Sequence, residues 1–325
     1  MTMPIDDAAP PICVAALYRF ARLDDCGQLR GPLQRICGNQ GIKGTLLIAA
    51  EGVNGTIAGS RDGIARVLDH IRTWPGCAGL DVKFSGASVM PFHRMKVRLK
   101  REIVTMGQPG IDPSANAGTY VDPQDWNALI DDPDTIVIDT RNDYEVAIGS
   151  FTGSIDPKTA TFREFPEWFG RERDKLLEAG KQPRVAMFCT GGIRCEKASA
   201  FLKQEGVADV FHLKGGILAY LDAVPAGSSR WQGECFVFDQ RVAVGPGLAA
   251  GTHTLCFACR RPVSPSDSQS PLYEAGVSCP ACHGERDEGQ KASYRARHWQ
   301  ELHAARQGRA HIGAVLEAAD EDRGD

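Results

Sequence analysis

The chain of 325 residues is long enough for about two domains, and its 42% hydrophobic content is ordinary for a globular protein. Its 37 basic and 41 acidic residues give a net charge of −4, which excludes a nucleic-acid binder coated in positive charge. No run of 18 apolar residues is present, so the sequence predicts no membrane-spanning helix. Residues 1–11 contain Asp6 and Asp7 and no apolar stretch, which argues against a secretory signal and favours a cytoplasmic protein.

Residues 12–107 are predicted to form a ferredoxin-like α+β domain. A helix is expected after Ser60, because Ile64, Val67, Leu68 and Ile71 follow the helical period. Asn54 and Gly55 form a typical hairpin pair, which predicts a turn between the second and third strands. The resulting order, β-α-β-β-α-β, is that of the split βαβ motif. Strands are predicted at 13–21, 45–50, 56–58, 82–84 and 95–104, and the first helix at 29–37.

A linker at 108–118 and an α/β domain at 119–226 are predicted next. Asp122 and Pro123 suit the first positions of a helix. Short apolar strands alternate with helices, which indicates a doubly wound parallel sheet. The predicted strands are 136–139, 185–189 and 210–213, and the predicted helices are 162–169, 171–179, 195–205 and a last one that ends near Leu221.

Cys189 is predicted at the C-terminal end of a buried strand and just before a helix, at the sheet edge where ligands bind in open α/β folds. Two glycines allow backbone N–H groups to point at the sulfur, and Arg194 adds a cation. These features lower a thiol pKa, so the pattern predicts a nucleophilic cysteine. The alternative is a structural cysteine buried beside a turn.

Eleven cysteines are many for a chain without an export signal, and in a reducing compartment they indicate metal ligands or reactive thiols. Two C-x-x-C pairs with 19 residues between them are typical of a structural zinc ribbon. The predicted zinc ligands are Cys256, Cys259, Cys279 and Cys282. We expect this small module to span 230–312, with an acidic tail at 313–325. Unmetallated thiols are the alternative.

A run of basic residues, called the basic strip below, lies at the end of the first predicted domain. On a strand, its basic side chains alternate with Met95, Val97 and Leu99, so one face is cationic. Such a face suits a sugar-phosphate backbone, and Phe92 and His93 nearby are suited to stacking on a base. The alternative is an ordinary solvated strand face. The strip consists of Arg94, Lys96, Arg98, Lys100 and Arg101.

The second domain resembles the rhodanese domain. That resemblance implies that the loop cysteine carries a sulfur-bearing group held by amides and Arg194. Dual-specificity phosphatases on the same fold have one more loop residue between Cys and Arg, so a phosphatase is disfavoured. Cys195 replaces the usual Ser or Thr, either as an auxiliary thiol that traps an oxidised Cys189 or as a small helix-start residue. The motifs are residues 139–145 (DTRNDYE), 189–194 (CTGGIR) and 213–217 (LKGGI).

The wider chain resembles the bacterial tRNA uridine hydroxylase family. This implies oxygen-dependent formation of 5-hydroxyuridine at the wobble position of tRNA, with Cys189 as the catalytic residue. We find no flavin, NAD or non-haem iron motif, and we expect no membrane and no obligate protein partner. A thiosulfate-type sulfurtransferase and a non-catalytic RNA-binding adaptor are the alternatives. The further motifs are 50–56 (AEGVNGT), 95–104 (MKVRLKREIV) and 276–280 (GVSCP).

Overall fold

The computed structural model describes residues 12–108, 110–177 and 183–307, which fall into two compact units that divide after Thr254. Within these ranges, no helix is long and apolar enough to cross a bilayer. The predicted acidic tail and the end of the predicted helix at 171–179 lie outside the described residues. The predicted domain limits, 12–107, 119–226 and 230–312, stay predictions.

The first unit opens with a five-stranded sheet in the order β4-β1-β3-β2-β5, with two helices packed on one face. Strand β5 runs parallel to β2, and the other pairs are antiparallel. The predicted ferredoxin-like order is confirmed, with one strand added at the edge. Its elements are β1 (Ile12–Phe20), α1 (Cys26–Asn39), β2 (Lys43–Ala49), β3 (Gly52–Gly59), α2 (Arg61–Arg72), β4 (Asp81–Ala87) and β5 (Met95–Leu99).

Helix α2 shows why the core lies on this face. Ser60 caps it by accepting a hydrogen bond from the backbone N–H of Gly63 at 3.1 Å. The apolar side chains at the helical period, Ile64, Val67 and Ile71, are at most 1% exposed. The opposite face of the sheet is left for contacts with the second domain.

The predicted hairpin turn was wrong, because Asn54 and Gly55 lie inside β3 and the turn is at residues 50–51. Gly55 is needed by the sheet itself, since a Cβ there would lie 2.0 Å from the carbonyl oxygen of Thr45. Asn54 Nδ2 donates to the carbonyl oxygen of Ile103 at 2.8 Å. Close strand packing and a long-range hydrogen bond therefore override the local turn preference.

The predicted strand at 95–104 was also too long, since β5 ends at Leu99. Beyond it, side-chain carboxylates take the backbone N–H groups that a longer strand would offer to a neighbour. Glu51 Oε1 accepts from Ile103 N at 2.7 Å, and Glu102 Oε2 accepts from Met106 N at 2.9 Å.

The second domain contains a four-stranded sheet in the order β6-β10-β9-β7, in which every pair is parallel. Apolar clusters cover both faces, so the predicted doubly wound architecture is confirmed. The two helices predicted at 162–179 form one, and the predicted linker contains a short helix. The elements are α3 (Pro113–Asn116), β6 (Thr119–Val121), α4 (Pro123–Ile130), β7 (Thr135–Asp139), α5 (Asp143–Val146), β8 (Gly149–Phe151), α6 (Phe165–Leu177), β9 (Arg184–Phe188), α7 (Ile193–Gln204), β10 (Val210–Leu213) and α8 (Gly216–Ala223).

Short strands follow this sheet and complete the first unit. Strand β11 pairs with β8, and β12 pairs with β13. The second unit contains a two-residue ladder and a long helix, which Asp287 caps by accepting from Gln290 N at 2.8 Å. The remaining elements are β11 (Trp231–Gly233), β12 (Cys235–Phe236), β13 (Ala243–Val244), β14 (Thr254–Leu255), β15 (Pro262–Val263) and α9 (Glu288–Arg306).

Candidate active site and candidate metal site

Cys189 lies directly after β9, and its side chain is buried at the head of α7. The loop turns through Gly192, whose φ of 102° is in the left-handed region that favours glycine. This turn points the backbone N–H of Gly192 at Cys189 Sγ, 3.1 Å away. The predicted arrangement of a cysteine held by backbone amides is therefore present, and α7 begins two residues earlier than expected, at Ile193.

The pKa of Cys189 is lowered to about 6. Burial opposes ionisation, but a hydrogen bond from the Cys195 thiol, the charge of Arg194 and backbone N–H groups outweigh it. Cys195 responds in the opposite sense, since burial and its bond to Cys189 hold its own pKa well above the usual value. At neutral pH the pair therefore holds one thiolate, Cys189, and one thiol, Cys195.

Arg194 is paired with a buried carboxylate. Its two terminal nitrogens donate to Glu145 at 2.6 and 2.8 Å, and one of them also donates to Thr190 Oγ1 at 3.2 Å. Burial opposes ionisation of Glu145, but Arg194 outweighs it and lowers the Glu145 pKa. The Arg194 cation therefore stabilises the thiolate from a fixed position, with its planar group already occupied by Glu145.

A buried lysine joins the two domains immediately behind this loop. Lys197, on α7, is 1% exposed, and its Nζ lies 2.7 Å from Glu51 Oε2 and 2.7 Å from Glu102 Oε2. One residue earlier, Glu196 accepts a hydrogen bond from the hydroxyl of Tyr18 at 3.0 Å. These contacts hold the open face of the first sheet over the Cys189 loop.

A cavity of about 530 Å³ lies between that sheet face and the loop. A cavity of this size accommodates a nucleotide. Its walls combine apolar rings with a few polar and charged groups. The lining residues include Tyr18, Asn54, Lys83, Phe84, Cys189, Arg194, Phe238 and Arg241.

The basic strip lies next to this cavity on the same sheet. Lys96 and Arg98 pair in register with Thr45 and Leu47, which line the cavity, while Val97 between them packs into the core. Their side chains therefore belong to the cavity face of the sheet. Arg94, Lys100 and Arg101 flank the strand and are exposed.

In the second unit, four cysteine side chains converge. Their sulfurs all lie within 4.8 Å of one another, with Cys256 to Cys282 at 3.8 Å, Cys259 to Cys279 at 3.7 Å and Cys279 to Cys282 at 3.7 Å. With Zn–S bonds of about 2.3 Å, a tetrahedral site places its sulfurs about 3.8 Å apart. The predicted ligands thus form a cluster that fits a divalent metal.

Comparison with known families identifies both domains of the first unit. Residues 12–103 match the UPF0176 acylphosphatase like domain, and residues 122–223 match the rhodanese-like domain. The predicted fold class is confirmed.

The relatives extend this match along the chain. A tRNA uridine(34) hydroxylase of Gluconobacter oxydans is 59% identical over 95% of this chain and 99% of its own length. Those of Caulobacter vibrioides and Mesorhizobium japonicum are 60% and 61% identical over 93% and 94% of this chain, and each match covers 97% of the relative. The chain belongs to the tRNA uridine(34) hydroxylase family. The predicted family is confirmed, and with it the prediction of an oxidoreductase.

The sequence analysis assigned no role to three residues of this site. Glu145 lies inside the rhodanese motif but 44 residues before Cys189, and only the fold brings it to Arg194. Lys197 follows the loop closely, and its partners come from another domain. Phe238 enters the cavity from the segment between β12 and β13, which no motif marked.

Proposed function

We propose that this protein hydroxylates uridine 34 of tRNA at C5, with Cys189 as the catalytic residue. The observation that supports this proposal is a cysteine with a pKa of about 6 in a nucleotide-sized cavity. Enzymes that modify a base in folded RNA turn the base out of its stack into such a pocket. Since tRNA is a cytoplasmic molecule, we place the protein in the cytoplasm.

The chemistry that fits this cavity begins with addition of the Cys189 thiolate to C6 of uracil. The C5–C6 π pair then moves onto C5 and O4, so that C5 becomes nucleophilic. We propose molecular oxygen as the oxidant: one oxygen atom bonds to C5, and the other leaves as water with two electrons and two protons from a thiol reductant. Loss of the C5 proton expels the Cys189 thiolate and restores the C5–C6 double bond.

Arg194 and Cys195 are assigned supporting roles. Arg194 keeps Cys189 ionised between turnovers, because its charge lies in the same buried loop. Cys195 is proposed as an auxiliary thiol. If hydrogen peroxide oxidises the Cys189 thiolate to a sulfenic acid and releases hydroxide, the Cys195 thiol condenses with it, forming a disulfide and water. Two external thiols then reduce this disulfide and become a disulfide themselves.

The basic strip is proposed to hold the tRNA backbone. Arg94, Lys96, Arg98, Lys100 and Arg101 lie on or beside β5, which pairs with a strand that lines the cavity, so phosphates bound there keep a flipped base within reach of Cys189. The remaining surface of this acidic chain repels RNA, which favours release of the product.

For the four-cysteine cluster, we propose one structural Zn²⁺. Cys256, Cys259, Cys279 and Cys282 would supply all four ligands, which leaves no open position for substrate. The metal would stabilise the fold of the second unit, since such a short segment buries little apolar surface by itself.

The experiment is nucleoside mass spectrometry of tRNA from a strain that lacks this gene, complemented with wild type or Cys189→Ala. We expect 5-hydroxyuridine derivatives to be lost on deletion and restored by wild type but not by Cys189→Ala. The hydroxylation rate of Cys189→Ala should be at least about a thousandfold below that of wild type. Unchanged 5-hydroxyuridine in the deletion strain contradicts the proposal. A Cys189→Ala protein with full hydroxylation activity contradicts the cysteine mechanism. If the wild-type protein instead rapidly transfers sulfur from thiosulfate to a thiol, that result supports the sulfurtransferase alternative.

A further inference from the structure

The segment between β12 and β13 brings an exposed phenylalanine into the cavity that contains Cys189. Phe238 is 57% exposed, whereas its neighbours Phe236 and Val237 are at most 5% exposed. An exposed aromatic ring within a concave, partly apolar site indicates a ligand-facing surface. We infer that Phe238 is the platform on which the uracil ring of the target nucleotide stacks. This inference rests on the proposed function.

The backbone that carries Phe238 is held in place before any substrate binds. Arg241 pairs with Asp239 at 2.6 Å and donates to Ser85 Oγ on β4 at 2.7 Å, so the segment is tied to the first domain. Within the segment, Val237 N donates to the carbonyl oxygen of Val242 at 2.8 Å. A base that stacks on Phe238 therefore meets a surface that needs little ordering.

The ring itself is oriented by its neighbours. Phe236 packs against Phe238 edge-to-face at 5.2 Å between centroids, and Tyr144 packs against Phe236 in the same way at 5.3 Å. The Arg194 guanidinium carbon lies 5.9 Å from the Phe238 centroid. The ring thus has an aromatic support and the Arg194 guanidinium over it, and more than half of the residue's surface is exposed.

Stacking on Phe238 would supply what the Cys189 addition requires. A flipped pyrimidine needs a flat partner to replace the stacking it loses, and an aromatic side chain offers one without discriminating by hydrogen bonds. Because the ring borders the Cys189–Arg194 loop, a base held there is kept at a fixed orientation to Cys189. Phe238 would accordingly touch the substrate.

The first test compares Phe238→Ala, Phe238→Tyr and the control Trp299→Ala in hydroxylation of a tRNA transcript. Trp299 is an exposed aromatic residue on α9, at 65%, and it is not among the residues that line the cavity. We expect kcat/KM to fall roughly tenfold to a hundredfold in Phe238→Ala. Phe238→Tyr, which keeps the ring, should stay within about threefold of wild type, as should Trp299→Ala.

The second test uses wild-type protein, so that it does not depend on a variant that folds. An anticodon stem-loop with 5-iodouridine at position 34 is irradiated in complex with the protein, and the crosslinked peptide is sequenced by mass spectrometry. Stacked aromatic residues are efficient partners in this photoreaction, so we expect the crosslink at Phe238. Iodouridine at position 33 or 35 should crosslink there much less.

The outcomes separate this inference from the function on which it rests. If wild type hydroxylates tRNA but Phe238→Ala does so equally well, or Trp299→Ala loses as much, the platform is refuted and the hydroxylase stands. A crosslink from position 34 to another residue refutes it as well. If wild type forms no 5-hydroxyuridine, the proposed function fails and the inference fails with it.

Discussion

The Cys189 loop and the four-cysteine cluster use the same side chain for opposite purposes. In the cluster, each sulfur has other sulfurs as neighbours at 3.7–3.8 Å, an arrangement that one tetrahedral metal completes. In the loop, Cys189 has a backbone N–H, a single thiol and a buried cation around it, and it borders a cavity of about 530 Å³. The first arrangement encloses its sulfurs, and the second presents one to a ligand.

The difference teaches that the partners of a cysteine determine its chemistry. A thiolate that is neutralised by metal loses its reactivity and gains structural value. A thiolate that is stabilised by hydrogen bonds and a nearby guanidinium keeps its lone pairs available to an electrophile. Five predictions test this contrast.

The largest effect is expected at the cluster. Wild-type protein should contain one tightly bound zinc ion per chain, and Cys282→Ser should lose it together with about 10 kcal/mol of folding free energy of the second unit. Metal analysis and thermal unfolding measure both. The control Cys26→Ser removes a half-buried cysteine of the first domain and should keep the zinc. If wild-type protein is folded without metal and its four cluster thiols are reduced, the contrast between the Cys189 loop and the four-cysteine cluster is wrong.

The next effect concerns the carboxylate that holds Arg194. Glu145→Gln leaves a buried guanidinium without its partner and should destabilise the fold by about 3–5 kcal/mol in urea unfolding. It also removes a negative charge that offsets Arg194, so the pKa of Cys189 should fall further below about 6.

Asp139→Asn provides the matched control for this change. Asp139 and Arg141 form a buried pair in the same domain, with the Arg141 guanidinium over the Trp231 and Phe188 rings, but neither group is among the largest influences on the Cys189 pKa. We expect similar destabilisation with an unchanged pH profile of Cys189 alkylation. Equal shifts of that profile in both variants mean that Arg194 has no special influence on the thiolate.

A smaller effect is expected at the thiol that donates to Cys189. The alkylation rate of Cys189, followed by peptide mass spectrometry, should rise with pH around a midpoint of about 6. Cys195→Ala should move the midpoint upward, because the thiolate loses a hydrogen bond, whereas Cys195→Ser keeps a donor and should move it less. A midpoint near 8.5 in wild type would contradict the lowered pKa.

The same lowered pKa makes folding stability depend on pH. The thiolate contribution is fully present above the pKa of an unfolded thiol, about 8.5, and it is lost as the pH falls to about 6. In Cys189→Ala, this part of the pH dependence of the unfolding free energy should be absent.

The smallest effect concerns tRNA binding by the basic strip, which would deliver substrate to the Cys189 loop and not to the four-cysteine cluster. Arg98→Gln should weaken tRNA binding a few-fold and lower the slope of log affinity against log salt by about one. It should change neither zinc content nor the alkylation of Cys189. Arg171→Gln, which removes an exposed arginine of α6 outside the basic strip, serves as the control. Equal losses in both variants indicate non-specific attraction instead of a bound backbone.

Sequence reasoning went furthest where the chemistry is local. The strand, the glycine turn and the cation around Cys189 lie within about ten residues, and each C-x-x-C pair lies within four, so spacing alone indicated their geometry. The order of strands and helices in both domains was likewise predictable from periodicity. Local preference failed at Asn54 and Gly55, where neighbouring strands approach too closely for a turn to form.

What only the tertiary structure decided is which distant groups meet at the cysteine. Glu145 reaches Arg194 because α5 and the loop lie at the same edge of a parallel sheet. Lys197 binds two carboxylates of another domain, and Phe238 enters the cavity on a segment tied to β4 by Arg241. The sequence by itself determined the local pattern, a strand, a glycine turn and Arg194, that predicts an activated Cys189. The packing of the two domains determined the cavity that it faces, because contacts between residues far apart in the chain leave no periodic signal.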